Sequence, residues 1–316
     1  MKEIGGYFGL EKLISKEYYP TALSFNSARN ALLFVLQQRK IEKIYIPYFL
    51  CDSVSGLCEK YGYDFEYYRI DQDFKPIFNK QLKEKEYIYV VNFYGQITNK
   101  QLKEIKAIHK NVIFDNVQAF FQKSLESVDT IYSCRKFFGV PDGSYLATTL
   151  RLDGSNLVAD KSKDRMMHVL GRFEGCASDY YQDFKDGEKV LEDTELKLMS
   201  ALTHNLLGAI NYKAVRKSRE RNFAYLNEKL SSLNKLKIRK IIGPYAYPFY
   251  CENGMEVKKK LAERKIYVPT LWPNVVENFD GLEKDYAENI LPLPCDQRYD
   301  ESDMKTIVEE ILKCIN

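Results

Sequence analysis

The sequence predicts an α/β protein: a mostly parallel sheet flanked by helices, followed by a smaller α+β domain. Two observations lead to this prediction. Segments with strand and helix character alternate regularly through the first half of the chain. In addition, residues 87–93 are apolar or aromatic at nearly every position, which is typical of a strand covered by helices on both faces.

The alternating elements can be placed one by one. A first helix is predicted over residues 25–39, where Asn26 and Ser27 are good cap residues and apolar side chains recur at helical spacing. Further helices are predicted over residues 53–61 and 98–110. Strands are predicted for the short apolar and aromatic runs at residues 43–47, 64–70, 87–93, 112–114, 129–133 and 145–150.

The second half of the chain has a different pattern. Helical periodicity extends over residues 195–230 with a break near Gly208. Strand-like runs at residues 245–250 and 266–268 then alternate with helical runs at 255–264 and 303–314. We therefore expect a large domain over residues 1–190, and a helical connection with a small α+β domain over residues 191–316.

Composition favours a globular protein of the cytoplasm. The chain has 316 residues and a formal net charge of +3, with lysines spread among glutamates, which argues against a nucleic-acid partner. No apolar stretch approaches the ~20 residues that span a bilayer, and residues 1–6 do not resemble a signal peptide. Seven cysteines without a CxxC pair favour reduced thiols and no metal site.

Polar residues follow the predicted strands at points that can share one site. Asp115 and Lys136 each come directly or shortly after a strand, and the carboxyl ends of parallel strands meet at one edge of a sheet. A buried lysine can attack an aldehyde, and a buried carboxylate can keep a pyridine nitrogen protonated. The N-terminus of the first helix, at Ser27 to Asn30, can bind a phosphate. Aldehyde, pyridine and phosphate together describe pyridoxal 5'-phosphate (PLP), although each feature alone also has a purely structural interpretation.

Five segments in order resemble the DegT/DnrJ/EryC1/StrS family of sugar aminotransferases, which are PLP-dependent enzymes of fold type I. They are residues 25–32 (FNSARNAL), 46–51 (IPYFLC), 92–96 (NFYGQ), 112–118 (VIFDNVQ) and 132–136 (YSCRK), the last followed by PDG at residues 141–143. The lysine segment is similar to that of a shorter branch reading Tyr-Ser-Phe-Arg-Lys…Pro-Asp-Gly-Gly. The resemblance implies a large domain in which a seven-stranded, mostly parallel sheet binds PLP.

The resemblance also implies a role for each site residue. Lys136 would form the Schiff base with the cofactor and move the proton, Asp115 would pair with the pyridine nitrogen, and Gln118 would lie near the ring. The phosphate would be held at the first helix, chiefly by the amides of Arg29 and Asn30, and by the Ser133 hydroxyl, while Cys51 would pack on the ring face. The full set of implied cofactor contacts is Ser27, Ala28, Arg29, Asn30, Cys51, Asn92, Asp115, Gln118, Ser133 and Lys136.

The implied activity is transfer of an amino group from an amino acid, expected to be glutamate, to a keto group of a nucleotide-linked sugar for surface polysaccharide, by a homodimer. The sequence departs from the family at several points, among them Ser144, which stands where the shorter branch has a second glycine, and the length of the chain, which is shorter than is typical of these enzymes. Ser133 stands three rather than five residues before the lysine, and residues 196–200 (LKLMS) lack the asparagine that longer relatives supply from the partner subunit. Two alternatives stay open: a PLP enzyme with other chemistry, such as a dehydratase or lyase, and a non-catalytic binding module that keeps the fold.

Overall fold

An eight-stranded mixed sheet forms the centre of the structure, a computed structural model that describes residues 6–13, 16–152, 156–193 and 195–315. Its strands are β1 (Leu23–Phe25), β2 (Lys43–Pro47), β3 (Asp64–Ile70), β4 (Pro76–Ile77), β5 (Glu86–Val91), β6 (Val112–Asp115), β7 (Asp129–Ser133) and β8 (Ser144–Ala147). Their order is β1-β8-β7-β6-β5-β2-β3-β4. The central run from β7 to β3 is parallel, and the strands outside it pair antiparallel.

Helices flank this sheet and build most of the C-terminal part. They are α1 (Ala28–Gln38), α2 (Asp52–Tyr61), α3 (Asn99–Ile108), α4 (Met167–Glu174), α5 (Tyr181–Asp193), α6 (Ala201–Gly208), α7 (Tyr212–Leu230), α8 (Gly254–Glu263), α9 (Pro273–Asn278), α10 (Gly281–Asn289) and α11 (Glu301–Ile315). A separate antiparallel hairpin pairs β9 (Tyr247–Tyr250) with β10 (Ile290–Leu293). Among the described residues, no helix is both long and apolar enough to cross a membrane.

The predicted fold class is confirmed, with one strand more than the resemblance implies. The extra edge strand is the two-residue β4, which folds back on β3 in a short hairpin. The helix predicted from residue 25 begins instead at Ala28, because residues 23–25 pair with β8 as β1. Ser27 is the N-cap, and its hydroxyl accepts the amide N–H of Asn30 at 3.2 Å.

Two predictions for the second half need correction, and two helices lie outside the predicted elements. Residues 266–268 are not a strand, because β9 pairs with β10 instead. Val268 contributes to the core only through its buried side chain. The predicted break near Gly208 is confirmed, since α6 ends there and α7 begins at Tyr212, but the run begins later than residue 195, because its first residues are extended and Leu198 bridges to Phe25 and Ala159. The helices α4 and α5 have no counterpart among the predicted elements.

Buried apolar side chains form several clusters. The largest packs under the parallel strands, and a second lies between the β9–β10 hairpin and the helices α7, α8 and α11. A third surrounds the loop after β7 and includes Phe120, Phe121, Phe137 and Phe138. The first cluster also includes Trp272, which lies in the second half of the chain. This cluster therefore crosses residue 190, and the domain boundary there stays a prediction.

Candidate functional site

The carboxyl edge of the parallel strands collects the residues that the sequence singled out. Cys51 follows β2, Asn92 follows β5, Asp115 ends β6, and Ser133 ends β7 with Lys136 three residues beyond it. These strands run parallel to one another, so their carboxyl ends share one side of the sheet. The crevice at such an edge is the usual ligand position in open α/β sheets.

Asp115 is a buried acid with fixed orientation. The Tyr89 hydroxyl donates to its Oδ2 at 2.6 Å, and the Val117 amide donates to its Oδ1 at 2.7 Å. Burial raises the pKa of Asp115, while these two hydrogen bonds and the charge of Lys136 act to lower it. The lysine ammonium is therefore close enough to influence the carboxylate, as a pair on either end of one cofactor ring requires.

Lys136 differs from the expectation in one respect. We expected a buried lysine, and that is wrong for this chain, because the Lys136 side chain is exposed. The two residues after it, Phe137 and Phe138, are buried in the aromatic cluster and turn the lysine outward. Its Nζ lies 5.7 Å from the centroid of the Tyr245 ring, which is half-buried on the segment before β9.

The N-terminus of α1 offers an anion-binding surface, though not with every predicted donor. The Asn30 amide is engaged by the Ser27 hydroxyl, so Ala28 and Arg29 supply the first-turn amides that lack an acceptor within the helix. The Asn30 side chain donates to Asn26 Oδ1 at 2.6 Å and to the Glu195 carbonyl at 2.9 Å. Asn30 thus anchors the helix start to the chain before α6.

Two arginines add positive charge beside this helix start. Arg29 lies 3.7 Å from Glu192, and Arg135, next to Lys136 in sequence, pairs with Glu188. Burial and the nearby charge of Arg29 lower the pKa of Arg135 to about 10. Both glutamates belong to α5, whose carboxylates therefore cover the guanidinium groups that a phosphate would meet. The sequence motif at residues 132–136 includes Arg135 but does not reveal its partners, because they are distant in the chain.

Gln118 and Asn92 hold the turn after β5. The Gln118 side-chain oxygen accepts the Tyr94 amide at 2.7 Å, and this leaves its Nε2 as the group that can face a ligand. Asn92 donates to Asn116 at 2.9 Å and to Gln122 at 2.8 Å, and it accepts from the Ile97 amide at 2.8 Å. All three of these hydrogen bonds are to the protein, so Asn92 shapes the turn in this structure.

Cys51 and Ser133 complete the predicted set. Cys51 is half-buried at the N-cap of α2, with its Sγ 2.8 Å from the Ser53 hydroxyl oxygen, and it is near enough to Tyr89 to affect the pKa of that phenol. Ser133 is buried at the end of β7. The two residues therefore stand at the carboxyl ends of different strands, at the same edge of the sheet as Asp115.

The motif at residues 141–143 has a structural role. Asp142 is fully buried, and its carboxylate accepts the Ser200 amide and hydroxyl, each at 2.9 Å, and the Thr203 hydroxyl. The same residue therefore caps the start of α6 and ties it to the lysine loop. Gly143 has a φ of +119°, which favours glycine, and a Cβ there would lie 3.0 Å from Thr203.

The residues present fit PLP better than a metal. A buried carboxylate, a nearby lysine and a helix start with two arginines match the pyridine nitrogen, aldehyde and phosphate of that cofactor. Over the described part of the chain, no group of three or more His, Cys, Asp or Glu side chains is placed to hold a metal ion.

Comparison with solved structures places this geometry in a known architecture. A DegT/DnrJ/EryC1/StrS aminotransferase from Brucella abortus matches with a TM-score of 0.61 and 14% identity, covering 93% of this chain and 86% of that one. PseC of Helicobacter pylori, an aminotransferase in pseudoaminic acid biosynthesis, matches with a TM-score of 0.62 and 17% identity, covering 93% and 86%. Spr1654 of Streptococcus pneumoniae, assigned as a sugar aminotransferase and solved in its PLP form, matches with a TM-score of 0.58 and 14% identity, covering 94% and 88%.

The similarity is one of fold rather than of sequence. No protein-family model matches the chain, and no curated protein sequence matches it. The structural matches nevertheless extend over nearly the whole chain and over most of each relative. The chain therefore has the fold of the DegT/DnrJ/EryC1/StrS sugar aminotransferases.

Proposed function

We propose that this protein is a PLP-dependent aminotransferase that moves an amino group from an amino acid, glutamate, to a keto group of a nucleotide-linked sugar. The observation that carries the proposal is the buried Asp115 carboxylate, fixed by two hydrogen bonds at the same sheet edge as Lys136. Substrate and donor follow from the resemblance to sugar aminotransferases, and surface polysaccharide biosynthesis in the cytoplasm is the corresponding setting.

Each residue has a defined task in this proposal. When bound, PLP supplies an aldehyde that carries the amino group and a ring that accepts electrons. Asp115 would hold the pyridine nitrogen and favour its protonated form, and Lys136 would hold the aldehyde end of the cofactor through Nζ and serve as the base that takes up and returns the proton of the substrate carbon. Ala28 and Arg29 at the start of α1, with Ser133, hold the phosphate. Gln118 orients the ring through its Nε2, and Cys51 packs on the ring face.

A homodimer is part of the proposal. Apolar side chains on α4 and α5 are strongly exposed in the single chain, including Phe173 at 92% and Leu170 at 56%. Exposed apolar clusters of this kind mark protein interfaces, and α5 also carries the glutamates that pair with Arg29 and Arg135. A second copy of the chain would bury them.

The test is the visible spectrum of the purified protein with added PLP, followed by borohydride reduction and peptide mass spectrometry. We expect a yellow protein that bleaches with glutamate and a pyridoxyl adduct on Lys136. The variant Lys136→Ala should abolish the adduct, whereas Lys163→Ala, which removes a lysine side chain that is 82% exposed, should not. A protein that binds PLP but does not respond to any amino acid would favour dehydratase or lyase chemistry. One that stays colourless would refute both enzymatic hypotheses and favour the binding module.

A further inference from the structure

Arg219 is the largest of the fully buried side chains that the structure describes, and it lies next to the lysine loop. It is 2% exposed on α7, and its guanidinium lies 4.6 Å from the centroid of the Phe137 ring. Burial lowers its pKa, and the charge of Asp296 opposes this effect. An arginine stays protonated in proteins, so the fold buries a positive charge here.

The hydrogen bonds of this arginine converge on two backbone segments. Its Nη2 donates to the Phe137 carbonyl at 3.1 Å, and its Nη1 donates to the Pro244 carbonyl at 2.8 Å and to the Tyr245 carbonyl at 3.4 Å. Its Nε donates to the Gln297 side-chain oxygen at 2.7 Å. The acceptors of these hydrogen bonds are neutral oxygens, and burying a charge among them is a costly arrangement to keep without a positional task.

Both backbone segments adjoin Lys136. Phe137 is the next residue after the lysine, and its carbonyl also accepts the Gln297 side-chain amide at 2.8 Å. Tyr245 contributes the ring that lies beside Lys136 Nζ. One guanidinium thus fixes the peptide that follows the lysine and the backbone of the ring that faces its amine.

We propose that Arg219, assisted by Gln297, is a positioning residue that locks the Lys136 loop against the Tyr245 segment and so sets the direction of the lysine amine. Arginine suits this task because its planar group has several donors in fixed directions, whereas lysine offers a single point charge. The link to amino transfer rests on the proposed function. The lock on the loop is a property of the chain itself and can be measured without PLP.

A matched control lies one helical turn along α7. Asn222 is as buried as Arg219 and also holds the C-terminal segment, by donating to the Asp296 carbonyl at 3.1 Å and to the Tyr299 carbonyl at 2.8 Å. Its hydrogen bonds go to that segment and not to the Lys136 loop. Asn222→Ala therefore reports the general cost of loosening this region.

The first measurement is amide hydrogen exchange over residues 134–140 in the full chain without PLP. We expect Arg219→Lys to speed exchange of these amides about tenfold or more, because a hydrogen bond from a charged donor is lost, while Asn222→Ala leaves them at the wild-type rate. Unchanged exchange in Arg219→Lys, or an equal increase in Asn222→Ala, overturns the proposal. If Arg219→Lys does not fold, Gln297→Ala must raise exchange in the same peptide by itself.

The second measurement adds PLP and follows the rate at which the borohydride-trapped adduct on Lys136 appears. A displaced amine should react about 10- to 100-fold more slowly in Arg219→Lys, and at the wild-type rate in Asn222→Ala. A wild-type protein without any adduct would contradict the proposed function and leave the exchange result intact. A normal rate in Arg219→Lys would contradict the positioning role and leave the proposed function intact.

Discussion

Tyr89 provides a direct test of how the buried acid is kept ionised. Its hydroxyl donates to Asp115 Oδ2 at 2.6 Å and acts to lower the pKa of that carboxyl, against the raising effect of burial. Tyr89→Phe removes this hydrogen bond and leaves the volume nearly unchanged. A hydrogen bond to a charged group contributes about 1.5–3 kcal/mol, whereas one between neutral groups contributes about 1 kcal/mol.

The sign of the pH effect follows from proton linkage. Without Tyr89 the pKa of Asp115 rises further, so the folded variant binds more protons than the folded wild type in the range where Asp115 titrates. The stability advantage of the wild type should therefore be about 1.5–3 kcal/mol at pH values where Asp115 is ionised in both proteins, and it should shrink as the pH falls from the higher folded pKa of the variant to that of the wild type. Urea unfolding of the cofactor-free protein between about pH 4 and 8 measures this difference.

Tyr68→Phe is the matched control for this experiment. Tyr68 is also buried, on β3 of the same sheet, but its hydroxyl donates to the neutral backbone carbonyl of Tyr89 at 2.7 Å. Its loss should cost about 1 kcal/mol with little dependence on pH. If the difference in unfolding free energy between Tyr89→Phe and the wild type is also independent of pH, the Tyr89 phenol does not stabilise the Asp115 carboxylate, and the reasoning about Asp115 is wrong.

Three further predictions address other parts of the chain. Glu188→Gln should lower the Kd for PLP by about two- to fivefold in an absorbance titration, because a phosphate no longer competes with a carboxylate for Arg135; an unchanged Kd would argue against that competition. Burial lowers the pKa of Lys258 from 10.5 to about 8, so wild-type stability should rise by about 2–3 kcal/mol between pH 8 and 10.5, and Lys258→Met should remove that slope in urea unfolding. At Gly243 the φ is +52° and a Cβ would lie 2.2 Å from a buried phenylalanine ring, so Gly243→Ala should lower the free energy of unfolding by about 2–4 kcal/mol in thermal unfolding. Gly62, at φ +71°, has open space around it, so Gly62→Ala should lower the free energy of unfolding by only about 1 kcal/mol. Equal losses of stability in the two variants would contradict the steric argument.

The sheet and its acid can be predicted from the sequence because their signals are local. Parallel strands that are covered on both faces have continuous apolar runs, and the residue after such a run falls at a known edge of the sheet. This local rule is sufficient to assign Asp115 and Lys136 to one edge. The exposure of Lys136 does not follow from the same rule, since it depends on how Phe137 and Phe138 anchor their loop.

The covering parts of the site lack such signals. Along α5, apolar residues recur at helical spacing (Tyr181, Phe184 and Leu191), but nothing in that pattern reveals that Glu188 on the same helix pairs with the distant Arg135. The charged run from Arg216 to Arg221 predicts a solvated helix face, and this is wrong for Arg219, which is buried because distant carbonyl groups accept its hydrogen bonds. Such contacts are decided by tertiary packing, which a local pattern does not encode.

The contacts of the lysine loop also affect the order in which parts of the protein can fold during synthesis on the ribosome. Tyr89 and Asp115 are 26 positions apart, so the acid end of the site can form while most of the chain is still untranslated. The Phe137 carbonyl must wait for donors 82 and 160 positions later. If Arg219 and Gln297 position the lysine as proposed, we expect the Lys136 amine to reach its final direction only after residues 219 and 297 have been synthesised.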